Sequence, residues 1–339
     1  MPSIASTHSV KVYRHPSAFP QQLWDALYQN EQAANVILPH ATKTRVAEPN
    51  GSQLWMTCST FLSARDDPEL DLILSCVEGP LGSYPIFIIP TALFHHLHDD
   101  YLYPRLELLI SQILLEIPQE RVFSVFAPQP ISIAFTKLWS CRTGVGFYEE
   151  PYYAAQLTYC TSETFVDRRA TTFPDVVYVP RRATEEDVAS VAPLCQGFAE
   201  TSAPFLLNDK RARKEAKYLI RSGYLWVLEA RRPGENPELA SIVAVTRQSA
   251  TVAGITKVFT NPRWRKRGCA ERLVRAVCKE LLRSKQSIVL YCAHDNAAAA
   301  GVYHRVGFVG LDDSKRRVAG VEPWLEVGFD RDVVELGHW

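Results

Sequence analysis

A change of period in the second half of the chain restricts its fold more than any other feature. Ala253-Gly254-Ile255-Thr256-Lys257-Val258-Phe259-Thr260 reads as a strand and stops at Asn261-Pro262. Next comes the short basic segment Arg265-Lys266-Arg267-Gly268-Cys269-Ala270, and behind it Leu273, Val274, Val277, Cys278, Leu281 and Leu282 recur at helical spacing. A loop between a strand and a helix offers unpaired backbone N–H groups and the positive end of the helix dipole. That combination suits an anion, pyrophosphate in particular. Gly268 lets the backbone approach a ligand with no Cβ in the way, Cys269 and Ala270 are small, and Arg263, Arg265, Lys266 and Arg267 add positive charge. An R-x-x-G-x-A match alone is weak; its place between a strand and an amphipathic helix gives it weight.

The elements around this segment read as an α/β chain with a mixed sheet. Val176–Pro180 is strand-like, and Thr184 with Asp187 three residues later forms a capping box before the helical positions Val188, Val191, Ala192 and Cys195. A basic amphipathic helix over 209–222 precedes strands at Tyr224–Ala230 and Leu239–Thr246. Downstream, Ser287–Ala293 reads as a strand, Asn296–Val306 as a helix, and Gly307–Val309 and Trp324–Phe329 as closing strands. The first half shows a helix over Gln21–Asn35, strands near Leu54–Phe61, Leu70–Val77 and Tyr84–Ile89, a helix Leu102–Ile117, a strand Arg121–Ala127, a helix Ile131–Cys141 and a strand Tyr152–Tyr159. Strand–helix–strand–helix–strand thus occurs in both halves, as a diverged duplication would give. The polar stretch Ser162–Pro174 reads as a linker, so the expected division is 1–165 and 175–339. Where the second half has its basic glycine loop, the first has Leu93-Phe94-His95-His96-Leu97-His98-Asp99-Asp100. Histidines at that spacing are no recognised zinc arrangement, and no metal is expected.

The net charge of zero hides an asymmetry. Residues 1–180 carry 11 basic and 18 acidic side chains, net −7, and the remainder 26 and 19, net +7. A basic half suggests an anionic ligand. Nucleic acid is not expected, since Lys315-Arg316-Arg317 reads as a solvated hairpin tip. The eight cysteines include no C-x-x-C pair, and most lie in apolar runs, so buried free thiols in a reducing compartment are expected. No apolar run reaches the roughly 18–20 residues that span a bilayer, and Met1–His8 does not read as a signal peptide; the expectation is a cytoplasmic protein.

Val258-x-Thr260-x-Pro262-x-x-Arg265-x-Arg267-Gly268-x-Ala270 resembles the acyl-CoA motif R/Q-x-x-G-x-G/A of the GNAT superfamily of N-acetyltransferases. Asn296, Tyr303 and the ending Tyr303-x-x-x-Gly307-Phe308 resemble a second block of that family, and Arg182–Asp187 its opening. The resemblance covers the C-terminal part; it implies a GNAT fold there, with a degenerate GNAT-like first domain in tandem. It further implies that the backbone of Val258, Phe259 and Thr260 holds the pantetheine arm and polarises the thioester. The pyrophosphate would sit on Lys266, Arg267, Gly268, Cys269, Ala270 and Glu271, with Arg265 adjacent. Asn296 would contact the cofactor arm, and Tyr303 would give a proton to the departing thiolate. Asn296 also reads as a helix N-cap. Some members place a catalytic glutamate where Tyr291 stands here; Glu200, Asp209, His294 and Glu326 are alternative bases. The resulting expectation is transfer of an acyl group, acetyl first, from acyl-CoA to an amine by direct attack. The acceptor would be a small-molecule amine or a peptide or protein amine, approached through Gln196–Asn208. The alternative is a CoA-binding sensor without catalysis.

Overall fold

The computed structural model describes residues 7–48, 51–61, 68–168, 175–312 and 317–338. Residues 169–174 of the expected linker, and Lys315 and Arg316 of the expected hairpin tip, lie outside them. The chain forms two compact units, Met1–Ala155 with Glu322–Trp339, and Gln156–Val321.

In chain order, the first part of the molecule has β1 (Thr7–Tyr13), α1 (Gln21–Gln29), α2 (Leu38–Arg45), β2 (Leu54–Phe61), β3 (Glu69–Cys76), the small hairpin β4 (Glu78–Gly79) and β5 (Gly82–Ser83), β6 (Ile86–Pro90), α3 (Asp99–Glu116), β7 (Ser124–Pro128) and α4 (Gln129–Thr143). There follow β8 (Tyr153–Thr161), β9 (Val177–Arg182), α5 (Val188–Ala199), α6 (Asp209–Arg221), β10 (Leu225–Arg231), β11 (Glu238–Gln248), β12 (Val252–Thr260), α7 (Cys269–Leu281), β13 (Ser287–Ala293), α8 (Ala297–Val306) and β14 (Glu322–Gly328). The expected long helix Gln21–Asn35 is interrupted: α1 ends at Gln29, and a 3-10 turn, Ala33–Val36, leads into α2.

The two units share one strand order. The first runs β1-β2-β3-β6-β7-β14 and the second β9-β10-β11-β12-β13-β8. In the first, all pairs are antiparallel except β6 with β7. In the second, β9, β10, β11 and β12 are antiparallel in turn, and β12 with β13 is parallel.

The final strand of each unit departs from the expected division at 165 and 175. β14, expected to close the second half, pairs antiparallel with β7, Trp324 opposite Pro128 and Gly328 opposite Ser124. Its side chains explain the choice: Trp324 is 1% exposed, its ring lies 5.1 Å from that of Phe126, and Ser124 donates a 2.7 Å hydrogen bond to Glu326. β8 lies beside β13, with Cys160 in the second unit's core and the N–H of Val309 donating to the carbonyl of Tyr159 at 3.0 Å. Gly307–Val309 is a turn, not the expected strand. Gly307 ends α8 at φ 116°, and a Cβ there would meet the Thr164 carbonyl oxygen at 2.2 Å, so only glycine fits.

Two apolar layers flank the second unit's sheet. Leu273, Val274, Val277, Cys278 and Leu281 of α7 pack on one face with Ala253, Ile255 and Val245. Val191, Leu194 and Cys195 of α5 and Ala212, Ala216 and Leu219 of α6 cover the other with Ile242, Ala244 and Phe259. Each leucine, valine, isoleucine or phenylalanine among them contributes about 1.5–3 kcal/mol when taken out of water. No helix among the described residues is long and apolar enough to cross a membrane.

Candidate functional site

Strand β12 is irregular where the sequence places the ligand. It pairs with β13 only over Val252–Gly254, so its second half runs free of that neighbour. Against β11 the register passes from Lys257–Ala244 to Ile255–Val245 and then to Gly254–Arg247. Thr256 and Thr246 are thereby left out of the ladder, their hydroxyls 3.0 Å apart. A bulge of this kind bends a strand and re-aims its side chains.

Beyond Thr260 the chain is anchored by Trp264. Its ring is buried in the α7 core, and its indole N–H donates to Glu238 at 2.9 Å. The same carboxylate accepts from Arg263 at 2.7 Å. Lys266, at φ 60°, and Gly268, at φ 70°, are both left-handed, and for the lysine this conformation costs about 1 kcal/mol. Gly268 is the N-cap of α7 and supplies no capping side chain. Among the described residues, the backbone N–H groups from Lys266 to Glu271 make no hydrogen bond, and Arg265, Lys266 and Arg267 form no ion pair. The Arg265 and Arg267 guanidinium groups instead lie over the rings of Phe259 and Trp264, at 5.5 and 5.4 Å. The result is an open row of donors at a helix start, flanked by unneutralised cations.

The other expected site residues have specific partners. The carbonyl of Phe259 accepts from Ser241 at 2.9 Å, and that of Thr260 from Arg265 Nε at 3.4 Å. Val258 stands opposite Val243. Cys269 is buried and burial pushes its thiol up, so it serves as a small, unreactive residue at the helix start; Ala270 follows it in the first turn. Glu271 is clamped by three arginines, Arg168 and Arg275 on one oxygen at 2.9 Å and Arg305 on the other at 2.7 Å. Burial opposes its ionisation, but the hydrogen bonds from Arg305, Arg275 and Arg168 hold its carboxyl at about 2. Asn296 is the N-cap of α8, its side chain accepting from the Ala299 N–H at 2.9 Å. Tyr303 is 9% exposed, with its ring edge-on to Phe308 at 5.7 Å. Burial pushes its hydroxyl up, helped by the thiols of Cys292 and Cys278, which keeps it protonated at neutral pH.

The alternative bases separate. Glu326 is fully buried on β14 in the first unit, bonded to Ser124, and is no part of the second unit. Asp209 is exposed and paired with Arg213 at 3.2 Å. Glu200 caps α5, and His294 is exposed just beyond β13. A buried pair not foreseen from the sequence lies beside the bulge: Lys257 is bonded to Glu215 of α6. The one sequence signal was a lysine in the middle of an apolar strand. Burial pushes the nearby Cys195 thiol up to about 12, with Lys257 pulling down and Glu215 pushing up.

Residues 236–318 match the FR47-like protein family. No curated protein sequence matches the chain. In fold, the chain is similar to a Drosophila protein, 14% identical, over 91% of this chain and 95% of the other, with a TM-score of 0.58. It is also similar to a GCN5-related N-acetyltransferase from Sphaerobacter thermophilus, 13% identical, over 95% of each chain, with a TM-score of 0.52. At such identities the likeness establishes the fold: a mixed α/β architecture of the GNAT type.

Proposed function

From the GNAT fold and the open start of α7, we propose that the second unit binds an acyl-coenzyme A and transfers its acyl group, acetyl in the simplest case, to an amine. One observation carries the reading: unpartnered N–H groups from Lys266 to Glu271 stand directly after a strand that is bulged and parted from its neighbour. The N–H row suits a pyrophosphate. Arg265, Lys266 and Arg267 supply its countercharge, and Gly268 and Ala270 leave room for it. The parted edge of β12 suits an extended arm, with the backbone of Val258, Phe259 and Thr260 beside the thioester, where donors oppose the charge that develops on its oxygen. Asn296 can cap α8 through Oδ1 and still offer its amide N–H to the arm. Tyr303, kept neutral by burial, is the acid for the departing thiolate.

The acceptor attacks directly while both substrates are bound. It is a small-molecule amine, or alternatively an amine of a peptide or protein. With Tyr291 where some related enzymes have a carboxylate, the amine arrives neutral or loses its proton through water. That same substitution favours the second reading, a CoA-binding protein without turnover. Calorimetric titration with acetyl-CoA, followed by CoA release against an amine panel, decides between them. Binding with turnover supports the transferase, binding without turnover supports the sensor, and absence of binding overturns both.

A further inference from the structure

The proposed chemistry makes no use of a buried ion pair in the second unit, Lys257 with Glu215. On β12, Ala253 and Ile255 face the α7 core, whereas Phe259 belongs to the opposite core and Lys257 reaches α6. In a regular strand these alternate residues would share one face. Thr256, left out of the ladder, is the extra residue that turns the following positions over. Lys257 is thereby carried into an apolar interface, where an unpaired ammonium is strongly unfavourable. Glu215 accepts its hydrogen bond, and the ammonium lies 4.4 Å from the centroid of the Phe198 ring on α5. The two side chains are 10% and 3% exposed. Among the described residues, the second oxygen of Glu215 is buried without a hydrogen bond, and Lys257 is the partner that fixes this carboxylate. A buried ion pair seldom stabilises a fold more than apolar residues of the same volume would. What it adds is a fixed length and direction, here joining α6 to the strand one residue past the bulge.

We propose that Lys257 and Glu215 are positioning residues for acyl transfer: the buried pair fixes the bulge of β12, and through it the backbone of Val258–Thr260 that would hold the thioester. This rests on the acyltransferase reading. Glu215→Gln leaves a buried ammonium uncompensated and lowers the folded fraction, so the deciding variant is Lys257→Met/Glu215→Met. It removes both charges, keeps the volume and holds Tm at or above that of the wild type. The main readout is the infrared carbonyl band of acetyl-CoA, 13C-labelled at the acetyl carbonyl and bound to the full chain. In the wild type the band lies below that of free acetyl-CoA, because strand donors polarise the carbonyl. The double variant binds acetyl-CoA with wild-type affinity, since its α7 start is intact, but loses most of that shift. With an amine that the wild type accepts, kcat falls about 10- to 100-fold while KM for acetyl-CoA is unchanged. A folded double variant that keeps the band shift and kcat overturns the inference and leaves the transferase reading standing. A wild type that binds acetyl-CoA without a band shift also overturns it. Lack of acetyl-CoA binding by the wild type overturns both. Where the wild type binds with a shifted band but turns over no amine, loss of the shift still supports the positioning role and only the transferase reading falls.

Discussion

The starts of α3 and α7 follow the fourth large strand of two units that share one strand order, yet they would meet a phosphate in opposite ways. Before α3 stand His95, His96 and His98, the first turn carries Asp99 and Asp100, and no lysine or arginine lies between Pro90 and Tyr101. His98 spends its ring nitrogen on the Tyr101 N–H at 3.3 Å. The adjoining cavity, about 850 Å³, is lined by Asp25, Glu69, Asp71, His96, His98 and Tyr101. Before α7 there are four cations, a glycine cap and free N–H groups. The strands differ too: β6 runs in regular register with β3, whereas β12 is bulged. Topology places a helix start beside a strand end in both units. Charge, capping and strand irregularity decide which of the two can receive an anionic ligand.

The largest effect expected from breaking this comparison is on stability. If β14 completes the first unit, Trp324→Ala opens a cavity against Phe126 and costs about 3–5 kcal/mol in chemical denaturation. Acetyl-CoA affinity of the folded protein stays unchanged, because the proposed site lies in the other unit. Loss of affinity without loss of stability would return β14 to the second unit.

Next comes the helix that follows the parallel strand. In the first unit α4 presents stacked Phe135 and Trp139, 5.9 Å apart; in the second, α8 presents Tyr303. On the proposed chemistry, Tyr303→Phe leaves α8 as inert as α4. Turnover should fall about 10²- to 10⁴-fold at unchanged acetyl-CoA affinity, and unchanged turnover would remove the tyrosine from the chemistry.

Gly268→Ala has a smaller effect. Among the described residues, a Cβ there meets nothing within 4 Å, so the cost to the fold comes from φ 70°, about 1 kcal/mol by denaturation. If the proposed phosphates fill the open space that this Cβ would enter, acetyl-CoA affinity also drops; full affinity would place the ligand elsewhere.

The smallest effect concerns Glu271, whose arginine clamp has no counterpart among the described residues at the exposed Asp99 and Asp100. Its carboxyl is held at about 2, below its ordinary 4.5. The clamp therefore contributes in full above pH 4.5 and is lost as pH falls toward 2. Relative to Glu271→Gln, the wild type should lose stability through that window; parallel curves would show that the clamp contributes nothing.

The sequence made the α7 start legible because its signals are local: a strand ending at a proline, a glycine among cations, and apolar residues at helical spacing. Ser287–Ala293 was readable to the residue, being apolar and bounded on both sides. The exchange of β8 and β14 was not, because a strand does not state its partner, and Ser124 and Glu326 meet across 202 residues of sequence. Gly307–Val309 looked like a strand because its apolar residues fill the end of α8, not a ladder. The Lys257–Glu215 pair needed the bulge at Thr256, which no local pattern announces, to bring the lysine round to α6.

In the proposed function α7, not α3, receives the coenzyme. Calorimetry with acetyl-CoA on the wild type, Arg265→Glu/Arg267→Glu and Asp99→Asn/Asp100→Asn tests it most directly. One site per chain is expected, with a loss of at least about 100-fold in affinity for the arginine variant from two reversed charge-assisted contacts, and wild-type affinity for the aspartate variant. Full affinity in the arginine variant, or loss in the aspartate variant, would contradict it.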